Sequence, residues 1–182
     1  MQQSDSQLLE QFLKPDADQH KIFKLIVLKY QEKVYWHLRR MLLIHADTDD
    51  VMQDTFIKVW KALPDFRMES SLYTWIYRIA TNEALSFIKR KNRMHILSNE
   101  GSMDYISESF SSDVYFDGDD FQTKFQLALL QLPDKQKLVF NMKYFDEMKY
   151  EDMSVILDTS VGALKASYHH AVKKIEAIVR EN

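Results

Sequence analysis

Tyr150-Glu151-Asp152-Met153-Ser154-Val155-Ile156-Leu157-Asp158-Thr159-Ser160-Val161-Gly162-Ala163-Leu164-Lys165-Ala166 reads as two helices parted by a three-residue turn. Val155, Ile156, Val161, Leu164 and Tyr168 supply apolar groups with which the two segments can pack on each other. Asp158-Thr159-Ser160 is short and polar, and Ser160 is a fitting N-cap for the second segment. The spacing is that of a helix-turn-helix. Gly162, in the first turn of the second helix, leaves room for close approach of a backbone or a phosphate.

Working outward, the remaining chain is also helical in pattern. Only three glycines and three prolines occur in 182 residues, too few for the turns of a many-stranded sheet. Pro15, Pro64, Gly101, Gly118 and Pro133 fall where helices need to end. Apolar spacing predicts a short helix near Gln7–Leu13, a long one over 16–43, a third over about 48–63 and a fourth from Ser71 into the basic cluster at 89–93. Residues 94–118 are rich in serine and acid without a sustained period, which reads as a flexible inter-domain linker. Helices are expected again over 119–132, 134–145, 150–157 and 161–179. The expectation is an all-α chain of two small helical domains: an N-terminal bundle over 1–93, and a helix-turn-helix domain over 119–182.

Composition narrows the function. There is no cysteine, so disulfides, thiolate metal sites and cysteine nucleophiles are excluded. The six histidines are scattered and assemble no nucleophile-base pair or metal set, so no enzyme and no cofactor is expected. The polar N-terminus is unlike a signal peptide, and the apolar stretch at 22–28 is broken by Lys24 and too short to cross a bilayer. A soluble cytoplasmic protein without membrane insertion is the expectation. The formal net charge is -3, but it is uneven. Seven acids and no lysine or arginine lie between Arg93 and Lys124, flanked by Lys89-Arg90-Lys91 with Arg93 on one side and Lys165, Lys173 and Lys174 on the other. Basic clusters of this kind suit phosphate.

The candidate sites follow from this layout. The 161–179 helix could lead into a major groove with Val161 to Ala166, its lysines reaching phosphates or base edges. The spacing alone equally fits a helical hairpin with a solvated lysine face. In Asp49-Asp50-Val51-Met52-Gln53-Asp54-Thr55-Phe56-Ile57-Lys58-Val59-Trp60, positions 50, 53, 54 and 57 form one helical stripe beside apolar Met52, Phe56 and Trp60. An arginine-bearing coiled coil would suit that stripe. The reading of Asp47, Asp49, Asp50 and Asp54 as a magnesium cluster lacks a phosphate-cradling glycine loop. In Phe66-Arg67-Met68-Glu69-Ser70-Ser71-Leu72-Tyr73-Thr74-Trp75-Ile76-Tyr77-Arg78-Ile79-Ala80-Thr81-Asn82, aromatics alternate with arginine ahead of a basic helix end, a pattern suited to single-stranded DNA. Trp75 and Ile79 read equally as core. A stand-alone helix-turn-helix regulator with a dimerising or sensing N-terminal domain also fits these features.

Residues 132–176 resemble the fourth conserved region of bacterial sigma factors, and 49–60 with 66–82 resemble the second. The chain is thus similar to the extracytoplasmic-function (ECF) sigma factors of the sigma-70 family over about 20–93 and 122–178. The resemblance implies a factor, monomeric when free, that binds core RNA polymerase at the β′ clamp helices and the β flap, and promoter DNA. An anti-sigma factor is a common further partner in the family. Carried over position by position, it implies core-polymerase binding by Asp50, Gln53, Asp54 and Ile57. It implies -10 element binding by Phe66, Arg67, Met68, Glu69, Ser70, Arg78, Asn82, Lys89 and Arg90. For the -35 element it implies Ser160, Val161, Gly162, Ala163, Lys165, Ala166, His169 and Lys173. The sequence departs from the family pattern at Lys149 (often a serine cap), Asp158 (a turn glycine), Ser167 and His170 (arginines) and Met68 (a small residue).

Overall fold

The computed structural model describes residues 3–98 and 120–181, with side chains placed for 3–94 and 124–180. The described residues form α1 (Asp5–Phe12), α2 (Gln19–Leu42), α3 (His45–Ala62), a 3-10 turn (Leu63–Asp65), α4 (Leu72–Ser98), α5 (Asp120–Leu130), α6 (Asp134–Tyr144), α7 (Tyr150–Leu157) and α8 (Val161–Glu181). No strand occurs among them. The chain divides into two compact units, Met1–Phe87 and Ile88–Asn182. Residues 94–98, expected to open the linker, are helical and extend α4; 99–118 lie outside the described residues.

The first unit is built on α2. Ile22, Ile26, Tyr30, Val34, Leu38 and Leu42 recur every four residues and are all buried, with Ile26, Val34 and Leu38 fully so. The helix starts at Gln19, not in the expected 16–18 stretch, because the Asp18 carboxylate accepts the Lys21 N–H at 3.0 Å and caps it there. It ends on Leu43, whose left-handed φ of 66° breaks the ladder, and the Arg39 guanidinium donates to the Leu43 carbonyl. That break lets α3 begin at His45, three residues before the expected Thr48. Thr48 and Thr55 are buried, and their hydroxyls donate to the carbonyls of Ile44 and Val51 at 2.7 Å, so neither is orphaned.

Helix α1 is fixed to α2 at both ends. A capping box of Ser4 and Gln7 starts it, and Leu8, Leu9 and Phe12 are buried. The Asp5 carboxylate accepts hydrogen bonds from Lys29 Nζ at 2.7 Å and from the Tyr30 hydroxyl at 2.6 Å. At the other end Trp60 of α3 meets Phe12 edge-on at 5.8 Å, stacks on His20 at 4.8 Å and meets Phe23 at 5.0 Å.

The second unit closes around Ala128, Leu129, Leu132, Phe140, Ala171 and Ile175, with Phe125, Phe145, Tyr168 and Val172 packed against them. Phe140 and Tyr168 stack at 5.6 Å, joining α6 to α8. In α7 and α8, Ile156 and Leu164 are buried as expected, whereas Val155 is 45% exposed. The correction has a simple cause: adjacent residues on a helix are about 100° apart, and only Ile156 of the pair can point at α8.

Burial, and next the hydrogen bond to Asp5, push the Tyr30 phenol above the ordinary tyrosine range. A folded-state value above the unfolded one stabilises the fold below the unfolded tyrosine pKa of about 10, and the stability is lost as pH rises beyond it. Tyr30→Phe is therefore expected to be about 1 kcal/mol less stable than the wild type at pH 7. Urea titrations at pH 7 and at about pH 11 should show that gap closing at the higher pH.

Candidate nucleic-acid interface

The outward face of α3 carries Asp50, Gln53, Asp54 and Ile57, all exposed, opposite the buried Val51, Thr55 and Val59. Ile57 is 44% exposed within this acidic stripe. The C-terminal end of the stripe is backed by Trp60, which Phe12, His20 and Phe23 enclose, so the last turn has little freedom to rotate. A second brace joins α3 to α4, where Lys58 Nζ meets Glu83 Oε1 at 2.5 Å. Periodicity had no way to indicate either brace, since each joins residues 25 or more apart.

The 66–71 loop is pinned at both ends. Phe66 lies on Trp75 at 4.8 Å, and the Ser71 hydroxyl accepts the Thr74 N–H at 3.0 Å, starting α4. Between these anchors Arg67, Met68 and Glu69 stand exposed, with Ser70 partly buried. Met68 sits at φ 54° with its side chain 54% exposed, so a left-handed backbone is held where the family pattern has a small residue. On α4, Arg78, Asn82 and Lys89 share one exposed stripe, with Arg90 one residue further round. Not every ring expected here is available for stacking. Tyr77 is buried and Tyr73 is held against it at 4.3 Å, which leaves the partly exposed Phe66 and Trp75 beside the loop.

In the second unit the turn between α7 and α8 is closed by Asp158 at φ 48°, ψ 48°, a left-handed cap that aspartate tolerates. Ser160 Oγ accepts the Ala163 N–H at 3.3 Å. Lys149 makes no side-chain cap at the start of α7, matching the departure seen in the sequence. Ser160, Gly162, Ala163, Lys165, Ala166, His169 and Lys173 are exposed and Val161 is half-buried. Lys165, His169 and Lys173 fall four apart in a single row. A Cβ added at Gly162 would meet nothing within 4 Å, so the fold itself does not require glycine there. The sequence reading missed one group beside this row: Lys143 and Lys165 place their ammonium groups 5.0 and 5.7 Å from the Tyr150 ring. Burial raises the Tyr150 hydroxyl above its ordinary range.

The second unit is thus a helix-turn-helix, and the first a helical bundle with an exposed acidic stripe on α3. The Sigma-70 region 2 family model matches residues 26–94, and the Sigma-70, region 4 model matches 122–175, together more than half of the chain. The RNA polymerase sigma-H factor of Pseudomonas aeruginosa is 29% identical over 185 residues, covering 96% of this chain and 93% of that relative. The ECF RNA polymerase sigma-E factor of Escherichia coli K12 is also 29% identical, over 96% of this chain and 94% of its own length. Two solved structures share the fold. The sigma factor RpoE from Bartonella quintana, in complex with the anti-sigma factor NepR, has a TM-score of 0.71 at 22% identity, covering 88% of this chain and 98% of that one. CnrH, in complex with the cytosolic domain of CnrY, has a TM-score of 0.69 at 20% identity, covering 98% of both chains. The chain belongs to the sigma-70 family, as an extracytoplasmic-function sigma factor: a promoter-recognising initiation factor and not an enzyme. No helix among the described residues is long and apolar enough to cross a membrane.

Because the Gly162 position is open, Gly162→Ala is expected to leave the fold intact and to stabilise it by a few tenths to about 1 kcal/mol through helix propensity. A thermal melt of the variant beside wild type checks this.

Proposed function

We propose that α3 docks the chain on core RNA polymerase while the 66–71 loop with α4 holds unpaired -10 bases and α8 reads the -35 element. The observation that carries the reading is the α3 stripe: four exposed side chains, one of them apolar, on a helix whose last turn is braced from behind. Ile57 continues the stripe one turn beyond Asp50, Gln53 and Asp54, which gives a partner an apolar contact next to the acids. A coiled coil bearing arginines, such as the β′ clamp helices, would pair with Asp50 and Asp54, accept hydrogen bonds from Gln53 and cover Ile57.

At the -10 element, opening duplex DNA costs a few kcal/mol per unstacked step. Each base stacked on a ring returns about 1 to 3 kcal/mol. One captured base does not cover the cost of a melted stretch, so the loop around Met68 must act together with Phe66, Arg78, Asn82 and the basic end of α4. At the -35 element the open space over Gly162 admits a phosphate close to the helix start, and the Lys165–His169–Lys173 row faces the duplex. Lys143 and Tyr150 add a cation and a hydroxyl donor beside it. The β flap, an anti-sigma factor and a cytoplasmic setting complete the reading; the anti-sigma partner is supported by the two similar structures, each solved with a partner of its own.

Run-off transcription with core polymerase on genomic promoter fragments tests the docking face. Specific transcripts are expected with the wild-type chain and none with Gln53→Ala and Asp54→Ala combined, while the double variant's thermal midpoint stays within a few degrees. Tight duplex binding by the chain alone, with no transcript from any fragment, would identify a stand-alone regulator instead.

At the -35 end, Lys165→Ala and Lys173→Ala should each weaken duplex binding of the holoenzyme and lower its salt slope by about 1. Gly162→Ala should weaken binding without changing the slope, because it adds bulk and removes no charge.

A further inference from the structure

A buried polar pair joins α2 to α4. His37 is 1% exposed and Thr81 0%, and His37 Nε2 and Thr81 Oγ1 share a hydrogen bond of 2.9 Å. The pair tops a ladder of cross-helix contacts. Tyr30 lies 6.4 Å from Tyr73, the Tyr77 hydroxyl donates to the Lys33 carbonyl at 3.0 Å, and the His37 ring sits 4.8 Å from that of Tyr77. The rungs rise together in number on both helices, so α2 and α4 run in the same direction in one register.

We propose that His37 is a positioning residue for the strand-capturing face of α4, acting through Thr81; the inference rests on reading that face as the -10 surface. The apolar neighbours Val34, Leu38, Ile76 and Ala80 attract without direction and would tolerate a small rotation of α4. The polar pair does not. A turn or slip of α4 would break this buried, directional bond, so the bond favours one register among several of similar apolar packing. Arg78 and Asn82 each follow a ladder residue, Tyr77 and Thr81, by one position, or about 100° around the axis. Whatever fixes the ladder therefore fixes where both exposed side chains point.

The test separates register from stability. Replacing both partners by apolar shapes, His37→Leu with Thr81→Val, removes both ends of the directional bond at once. In holoenzyme, this variant is expected to melt within a few degrees of wild type and to bind core polymerase within twofold. It should open a duplex promoter at least tenfold more slowly, and on a template already unpaired across the -10 element it should recover most of the lost transcription. His37→Gln, which can still reach Thr81 through its amide, should open within about threefold of wild type. Val34→Ala, a cavity on the buried face of α2 one turn from His37, should melt earlier yet open at the wild-type rate. If the double variant does not fold, Thr81→Val alone carries the comparison with the same expected slowing. Opening at the wild-type rate in the apolar variants, or equal slowing in Val34→Ala, would overturn the positioning role. If Arg78→Ala with Asn82→Ala leaves opening unchanged, the assignment of the face itself fails, and the inference falls with it.

Discussion

The row of Ile22, Ile26, Tyr30, Val34, Leu38 and Leu42 on α2 sets the geometry of the first unit. Helix α1 is fixed to it by Asp5, Lys29 and Tyr30, and α4 by the tyrosine ladder that His37 and Thr81 close. Removing one buried aliphatic from such a row typically costs about 2 to 5 kcal/mol, a large share of the margin a domain of this size has. The surface residues have no such hold of their own. Asp50, Gln53, Asp54, Arg78 and Asn82 point where they do because the buried sides of their helices are already committed.

Scarcity of glycine puts the turns under another constraint. Leu43, Met68, Glu147 and Asp158 all take positive φ, a conformation in which a side chain crowds its own backbone. Three of them end or connect helices, where caps help offset the cost: Arg39 to the Leu43 carbonyl, Lys143 to the carbonyl of Met148 beside Glu147, and Ser160 beyond Asp158. Met68 is different. It ends no helix and stands exposed in the middle of the 66–71 loop, whose ends are held at Phe66 and Ser71. Backbone strain retained at an exposed loop tip fits a surface shaped for a ligand more readily than one shaped for packing.

The two units present different chemistry. The first pairs an acidic stripe on α3 with basic and amide groups on α4, and Lys58 to Glu83 joins the two helices between them. The second presents the Lys165–His169–Lys173 row, with Glu176 one turn beyond it on the same face. An acidic face and a basic row on one chain explain how a net charge of -3 is compatible with a nucleic-acid partner.

Much of this was legible in the residues alone, for a physical reason. Helices, their breaks and the stripes of α3 and α8 follow from a period of 3.6 residues, which is a property of neighbours along the chain. The motif spans at 49–60, 66–82 and 132–176 carried the family in the same local way. What tertiary structure decided lies between residues distant in sequence. That Leu43 turns left-handed and lets α3 start early, that Val155 faces out, and that Tyr77 is spent on packing while Trp75 lies under Phe66 all depend on what sits opposite. So do the meeting of Lys143, Tyr150 and Lys165 and the bond from His37 to Thr81, 44 residues apart. A periodic pattern reports which side of a helix is buried; it carries no information on which partner the buried side will meet.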